Sequence, residues 1–284
     1  MIETAGLSIT LNPFGRKLNE DETIDLISDA DFLVAGTESL SRQVLQSANK
    51  LKIISRCGVG LDNIDLKVAK DLKIKVFNTP NGPTRAVAEL AVALILSLLR
   101  KVPLMDRNCR KNVWQKKMGN LLYKKNIGIF GFGRIGQKVA KLLIPFDTVI
   151  SYYDINKISH SLNCKPLDFK SLLSWADIIS IHSSGSSTKT PVIGHRELKL
   201  MKPGSWLINL SRGGIVDENA LYNALTEREI EGAAIDVYEN EPYKGPLIEC
   251  ENIVLTPHVG SYARESRVEM EVQAVENLLN EIKD

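Results

Sequence analysis

Residues 126–143 read NIGIFGFGRIGQKVAKLL, and this stretch decides the fold. NIGIF is a short apolar run suited to a buried strand, and RIGQKVAKLL carries its apolar residues at helical spacing. Between them stands Gly131-x-Gly133-x-x-Gly136. Alone, such a glycine pattern is a weak signal; leaving a strand directly and opening a helix, it is a strong one. Gly131 permits the tight turn, Gly133 lets the backbone approach a pyrophosphate, and Gly136 lets helix pack closely on strand. The phosphates would meet the free N–H groups of the helix N-terminus. Asp154 closes the next strand, TVISYYD, eighteen residues after Gly136. Its carboxylate can accept hydrogen bonds from the adenosine ribose hydroxyls and repels a 2′-phosphate, so NAD is favoured over NADP.

The same alternation continues downstream. FKSLLSW, HRELKLM and ENALYNALTERE read as helices; ADIISIH, SWLINLS, EGAAIDVY and NIVLTPH read as strands. Apolar strands alternating with helices imply a parallel sheet with crossover helices on both faces, a doubly wound α/β fold. The first ~95 residues repeat the style on a smaller scale. LSITLNP, DFLVAG, LKIISRC and IKVFNTP read as strands, EDETIDLISDA and LSRQVLQSA as helices, and the helix TRAVAELAVALILSLLRK ends this half. The closing amphipathic segment RESRVEMEVQAVENLLNEI has no sheet left to serve in the second half, so it is placed back on the first. The expected domains are therefore 1–94 with 264–284, and 95–263 inserted between them. At the start, IETAG reads either as the last turn of a helix capped by Gly6 or as a frayed tail.

A formal charge of +2 argues against a nucleic-acid or membrane surface. Cys57, Cys109, Cys164 and Cys250 are widely spread, with no CxxC pair and no histidine at ligand spacing. Free thiols in a reducing cytosol and no metal are the expectation. The first residues carry no basic, long-apolar leader, and the most apolar run, residues 86–99, is too short to span a bilayer and contains Glu89. Cytoplasmic localisation follows as the expectation.

Several polar residues fall where the later strands end: His182, Arg212, Asp236 with Glu241 just beyond, and His258. In a parallel sheet these ends share the edge where Gly131 would hold a dinucleotide. Oxidising a 2-hydroxy acid there needs a cation for the carboxylate, a base for the hydroxyl proton and a carboxylate to orient that base. Arg212 offers a planar fork, His258 the right intrinsic pKa, and Glu241 the orienting charge. Each has a bland alternative: a loop cap at Arg212, a solvated turn at Glu241, a satisfied loop histidine at His258. Jointly, downstream of the nucleotide motif, those alternatives lose weight. His160 lies in a polar loop and His195 opens a helix, so neither is a candidate; His182 reads as structural or cofactor-adjacent.

These motifs, with SRCGVGLDNIDL (55–66), VFNTPNGPTRAVAEL (76–90), MKPGSWLINLSRGGIVDENAL (201–221), AAIDVYENEP (233–242) and VLTPHVG (254–260), resemble the D-2-hydroxyacid dehydrogenase family, most closely its 3-phosphoglycerate dehydrogenase-like branch. The resemblance covers nearly the whole chain, in order. It implies a Rossmann-type NAD domain inserted into a flavodoxin-like substrate domain, with the active site in the cleft and Arg212, Glu241 and His258 as the triad. It implies that N–H groups of Gly58, Val59 and Gly60 receive the substrate carboxylate. Arg134 and Ile135 would cover the pyrophosphate and Asp236 would meet the nicotinamide amide. Ser183, Leu210, Ser211 and Gly260 complete the expected cofactor contacts. Arg56 and Arg85 are candidates for a substrate phosphate, with a solvated arginine as the competing reading at each. The substrate would be a small 2-hydroxy or 2-keto acid, 3-phosphoglycerate among them. Homodimerisation through the nucleotide domain, with the helix near 86–101 contributing, is the family habit.

Two departures stand out. Ser184 stands where the family usually has proline. Family members commonly carry an extra strand and helix before the point matching Gly6, so the expectation is an upstream start or a shortened substrate domain whose apolar sheet face needs cover. Two other function classes fit the same residues: an NAD-binding regulatory module of corepressor type, and a folded but inactive, truncated dehydrogenase.

Overall fold

The structure is a computed structural model, and it describes residues 1–183 and 190–283. Ser184, the departure noted above, lies outside the described residues. In chain order the elements are α1 (Glu20–Ile27), β1 (Phe32–Ala35), α2 (Arg42–Ser47), β2 (Ile53–Arg56), α3 (Leu66–Asp71), β3 (Lys75–Asn78), α4 (Gly82–Leu99) and α5 (Val102–Arg110). There follow β4 (Asn126–Phe130), α6 (Arg134–Leu143), β5 (Val149–Tyr153), β6 (Lys165–Pro166), α7 (Phe169–Trp175), β7 (Ile178–Ile181) and α8 (His195–Leu198). The last are β8 (Trp206–Asn209), α9 (Glu218–Thr226), β9 (Gly232–Ile235), β10 (Ile253–Leu255) and α10 (Arg264–Lys283). Two compact units result: Met1–Pro83 with Ser261–Asp284, and Thr84–Gly260.

In the first unit, β1, β2 and β3 form a parallel sheet in that order. Ile54 of the central strand packs with Ile27, Val44, Leu45 and Val68 from the helices. Helix α10 joins this unit, burying Met270, Ala274 and Leu278. Polar ties fix its register: Asn277 Nδ2 donates to Ser55 Oγ (3.2 Å) and to the Asn78 carbonyl (3.1 Å), and Ser266 Oγ donates to the Gly82 carbonyl (2.6 Å). At the start, Glu3–Ala5 make one 3₁₀ turn, and Gly6 closes it in the left-handed region at φ 74°. The strand expected over LSITLNP is not formed. A strand exists by pairing, and among the described residues no strand lies beside that segment; Ile9 and Leu11 are exposed instead.

The second unit holds a parallel seven-stranded sheet in the order β10-β9-β8-β7-β4-β5-β6. Chain direction across the sheet reverses between β4 and β7, the switch point at which open α/β sheets take their ligands. Val87, Ala91, Leu94 and Ile95 of α4 pack with Ile127, Ile129 and Ile208 on one side of the core. Leu172, Leu198, Leu221 and Leu225 pack with Ile179, Leu207 and Ile235 on the other. This packing explains why α4, though long and apolar enough on composition to cross a membrane, is a core helix here. It also explains why the division falls at the start of α4 and not near residue 94: the helix body shares its core with β4. Helix α5, not legible as a separate element, is set off by Lys101 at φ 53°, which breaks the helical run.

Candidate active site

The glycine-rich loop leaves β4 at the switch point. Gly131 adopts φ 90°, and its N–H donates to the Tyr153 carbonyl (2.8 Å). A Cβ at this position would lie 2.6 Å from the Ser183 nitrogen and 2.7 Å from the His182 carbonyl, so both φ and space require glycine. Gly136 is equally constrained, since a Cβ there would fall 2.2 Å from the Gly131 carbonyl oxygen. Gly133 is the N-cap of α6 and makes no side-chain cap bond, and nothing lies within 4 Å of where its Cβ would stand. The first-turn N–H groups of Arg134, Ile135 and Gly136 therefore sit at an open, uncapped N-terminus, where an anion is favoured. Asp154 Oδ2 accepts the Phe132 N–H (2.7 Å) and Oδ1 accepts the Asn156 N–H (2.9 Å), which fixes the carboxylate beside the loop. These residues fit a dinucleotide: donors for the phosphates, and an acid for the ribose.

His182 follows β7 directly, against this loop. Its Nε2 lies 2.8 Å from Ser180 Oγ, while Nδ1 is buried without a hydrogen-bond partner. Desolvation of the ring pushes its pKa down to about 3, which favours the neutral imidazole. Leu210 is part of the core, and Ser211 is committed to Asn209, whose Oδ1 accepts its N–H (3.1 Å) and hydroxyl (2.9 Å).

The structure brings Glu241 and His258 into direct contact. His258 Nδ1 lies 2.9 Å from Glu241 Oε2 and 3.1 Å from Oε1, and the carboxylate also accepts the Tyr238 N–H (3.1 Å). With Nδ1–H directed at a carboxylate, the tautomer is set and Nε2 is the nitrogen left for chemistry. Both side chains are partly exposed within their own unit, at 52% and 38%. His258 stands in the left-handed region at φ 52°, a conformation that needs support. Asp236 supplies it: Oδ1 accepts Thr256 Oγ1 (2.6 Å) and the Val259 N–H (2.8 Å), and Oδ2 accepts the Gly260 N–H (2.8 Å). The resemblance gives Asp236 to the nicotinamide amide; its fully buried carboxylate also holds the turn that carries His258. Nothing in the spacing of the sequence signals that role, nor that of Thr256.

Arg212 lies on the loop after β8. Its Nη1 donates to the Ser211 carbonyl (2.8 Å) and its own carbonyl accepts Asn209 Nδ2 (3.0 Å). The next residue, Gly213, presses against the loop that carries Glu241; a Cβ there would lie 1.9 Å from the Tyr238 carbonyl oxygen. Gly213 thus serves a close approach between two loops, while Gly214 takes the left-handed region at φ 76°, a signal visible in the sequence but not interpretable there.

In the first unit, Gly58 takes φ 140° and its N–H donates to Thr79 Oγ1 (2.6 Å). That donor is therefore engaged, while the Val59 and Gly60 N–H groups meet no acceptor among the described residues. The Arg56 guanidinium folds over Gly58 and donates to the Cys57 carbonyl. In the second unit, Arg85 pairs with Glu89 one helical turn on (2.7 Å), both well exposed.

Residues 92–260 match the model of the D-isomer specific 2-hydroxyacid dehydrogenase NAD-binding domain. The chain is 40% identical over 270 residues to a glyoxylate reductase of Thermococcus litoralis, covering 90% of this chain and 82% of that protein. It is 35% identical to a D-3-phosphoglycerate dehydrogenase of Archaeoglobus fulgidus, covering 94% of this chain but 52% of that longer protein. The crystal structure of a Thermus thermophilus protein superposes with a TM-score of 0.92 at 33% identity, covering 98% of this chain and 91% of that one. The chain belongs to the D-isomer specific 2-hydroxyacid dehydrogenases, NAD-dependent oxidoreductases acting on CH–OH donors.

Proposed function

We propose that this chain interconverts a 2-keto acid and its D-2-hydroxy acid, with His258 as the proton carrier. The observation that carries the reading is the Glu241–His258 pair, which leaves Nε2 as the exchanging nitrogen. In the reductive direction the imidazolium gives its Nε2 proton to the carbonyl oxygen as that carbon gains hydride. Glu241 stabilises the charged ring beforehand and keeps it oriented afterwards. Arg212 holds the substrate carboxylate and polarises the carbonyl, a task suited to a planar, permanently charged fork. Within the first unit, the Val59 and Gly60 N–H groups are proposed donors to an anionic substrate group. The nicotinamide, when bound, would supply or accept the hydride; Asp154 and the α6 N-terminus are the proposed anchors of the cofactor's adenosine ribose and pyrophosphate.

For the substrate, two- and three-carbon 2-keto acids such as glyoxylate and hydroxypyruvate are favoured. One fact supports this: the match to a glyoxylate reductase extends over most of that protein. NADH oxidation measured with glyoxylate, hydroxypyruvate, pyruvate and 3-phosphohydroxypyruvate tests the reading. Turnover with the first two is expected to exceed that with the phosphorylated acid, and Arg212→Lys is expected to lower it about 100-fold or more, because a point charge cannot reproduce the fork. Tight NADH binding without turnover on any of the four would instead support the regulatory or inactive alternative.

A cytoplasmic homodimer is the proposed assembly. Free cysteines fit a reducing compartment, and Val113, Trp114, Met118 and Leu121 present exposed apolar surface on the second unit. Light scattering is expected to give twice the chain mass; a monomer at micromolar concentration would reject the assembly.

A further inference from the structure

The loop after Asp154 contains a cluster that the proposed reaction does not use. Phe132, between the first two glycines of the nucleotide loop, is fully buried and stacks on Tyr152 of β5, ring centroids 4.0 Å apart and planes 13° from parallel. His160 sets its edge against both rings, with centroids 4.9 Å from Phe132 and 5.2 Å from Tyr152. Its Nε2 lies 3.2 Å from the Tyr152 hydroxyl, whereas Nδ1 is buried with no hydrogen-bond partner. Ile158 and Leu162, from the same loop, pack on this core. The Phe132 backbone is held as tightly as its ring: its N–H donates to Asp154 Oδ2 (2.7 Å) and its carbonyl accepts Gln137 Nε2 (3.0 Å).

The three rings therefore tie the glycine loop, strand β5 and the loop after Asp154 together beneath the two expected nucleotide contacts. An aliphatic side chain would fill the same space without leaving a ring nitrogen buried and unpaired, which costs stability. Stability alone does not account for a histidine here. A flat ring with one polar edge, able to meet two aromatic rings and a phenol together, does.

We propose that His160 is a positioning residue for the nucleotide site: it braces Phe132 against Tyr152 and thereby holds the Asp154 carboxylate at the glycine loop. The proposal rests on the reading of Asp154 as the ribose acceptor. It gives His160 a part in cofactor choice, because a carboxylate held in place both accepts from the ribose hydroxyls and repels a 2′-phosphate.

The test is equilibrium binding of NADH and of NADPH by fluorescence titration, on the full chain and on its variants. His160→Ala is expected to raise the NADH dissociation constant by roughly threefold to tenfold, the worth of an aromatic edge contact. The NADPH constant should rise less or fall, so the preference for NADH narrows. His160→Phe keeps the edge contacts and should restore most of the NADH affinity. An unchanged NADH constant in His160→Ala, even with a lowered melting temperature, would overturn the proposal by making the residue core packing alone. Equal weakening of NADH and NADPH binding would overturn it too, since the loss would not run through Asp154. Asp154→Ala is the separate check on the underlying reading: if that variant keeps the full preference for NADH, the assignment of Asp154 itself fails, whatever His160→Ala does.

Discussion

Replacing His258 by alanine is expected to lower turnover by about 10²- to 10⁴-fold, the range over which a positioned acid–base group contributes. NADH binding should stay within about threefold of the parent, because a uniform change in affinity is not what an acid–base group supplies. The reasoning is geometric. His258 Nδ1 is taken by the Glu241 carboxylate, so the exchanging proton must sit on Nε2. His182, at the same edge of the sheet, has its pKa pushed down by desolvation, which makes it the poorer proton carrier. Steady-state rates together with a fluorescence titration of NADH decide the matter. Parallel losses of turnover and cofactor affinity would make His258 a structural residue and remove it from the mechanism.

Replacing Asp236 by asparagine should damage both stability and turnover. The parent carboxylate accepts three hydrogen bonds at zero exposure. Asparagine keeps one acceptor oxygen and turns an NH₂ group towards at least one backbone N–H, leaving a buried donor unmet. The cost is about 2–4 kcal/mol, read from chemical denaturation of the full chain. Turnover should fall about 10- to 100-fold even where the protein remains folded, because a left-handed turn without its clamp lets the His258 ring drift from reacting distance. A variant that loses stability but keeps its turnover would show that the turn holds itself, and Asp236 would then be a core residue and no more.

The nucleotide half of the site is legible in the sequence because its determinants are local. Gly131, Gly133, Gly136 and Asp154 act through a strand–turn–helix of fixed spacing; Gly131 and Gly136 answer steric constraints within a few residues of themselves or on the adjoining strand, and Gly133 leaves the helix N-terminus open. The pairing of Glu241 with His258 is reachable by a different route: both follow parallel strands, whose C-terminal ends must share an edge. What cannot be read are the bonds made across loops. The resemblance assigns Asp236 to the cofactor, and nothing in the sequence adds that its carboxylate also holds the His258 turn, because no spacing rule reports which of several nearby donors a buried acid will take. His160 reads as a plain loop histidine, since its partners Phe132 and Tyr152 meet it only once the chain has folded back. The LSITLNP segment shows the converse error: its apolar alternation suits a strand, but a strand needs a neighbour, and among the described residues that side of the sheet offers none.

The sequence by itself determined the parallel α/β class, the dinucleotide loop and the types of side chain available for hydride-coupled proton transfer, because these rest on periodicity, local turns and intrinsic acidity. Tertiary structure alone decided the Nδ1 tautomer of His258, the bonds of Asp236 to the turn beneath it, the downward pKa shift of His182 and the ring cluster under the glycine loop. Each of these depends on burial and on contacts between segments distant in the chain, and both exist only after the strands have been set side by side.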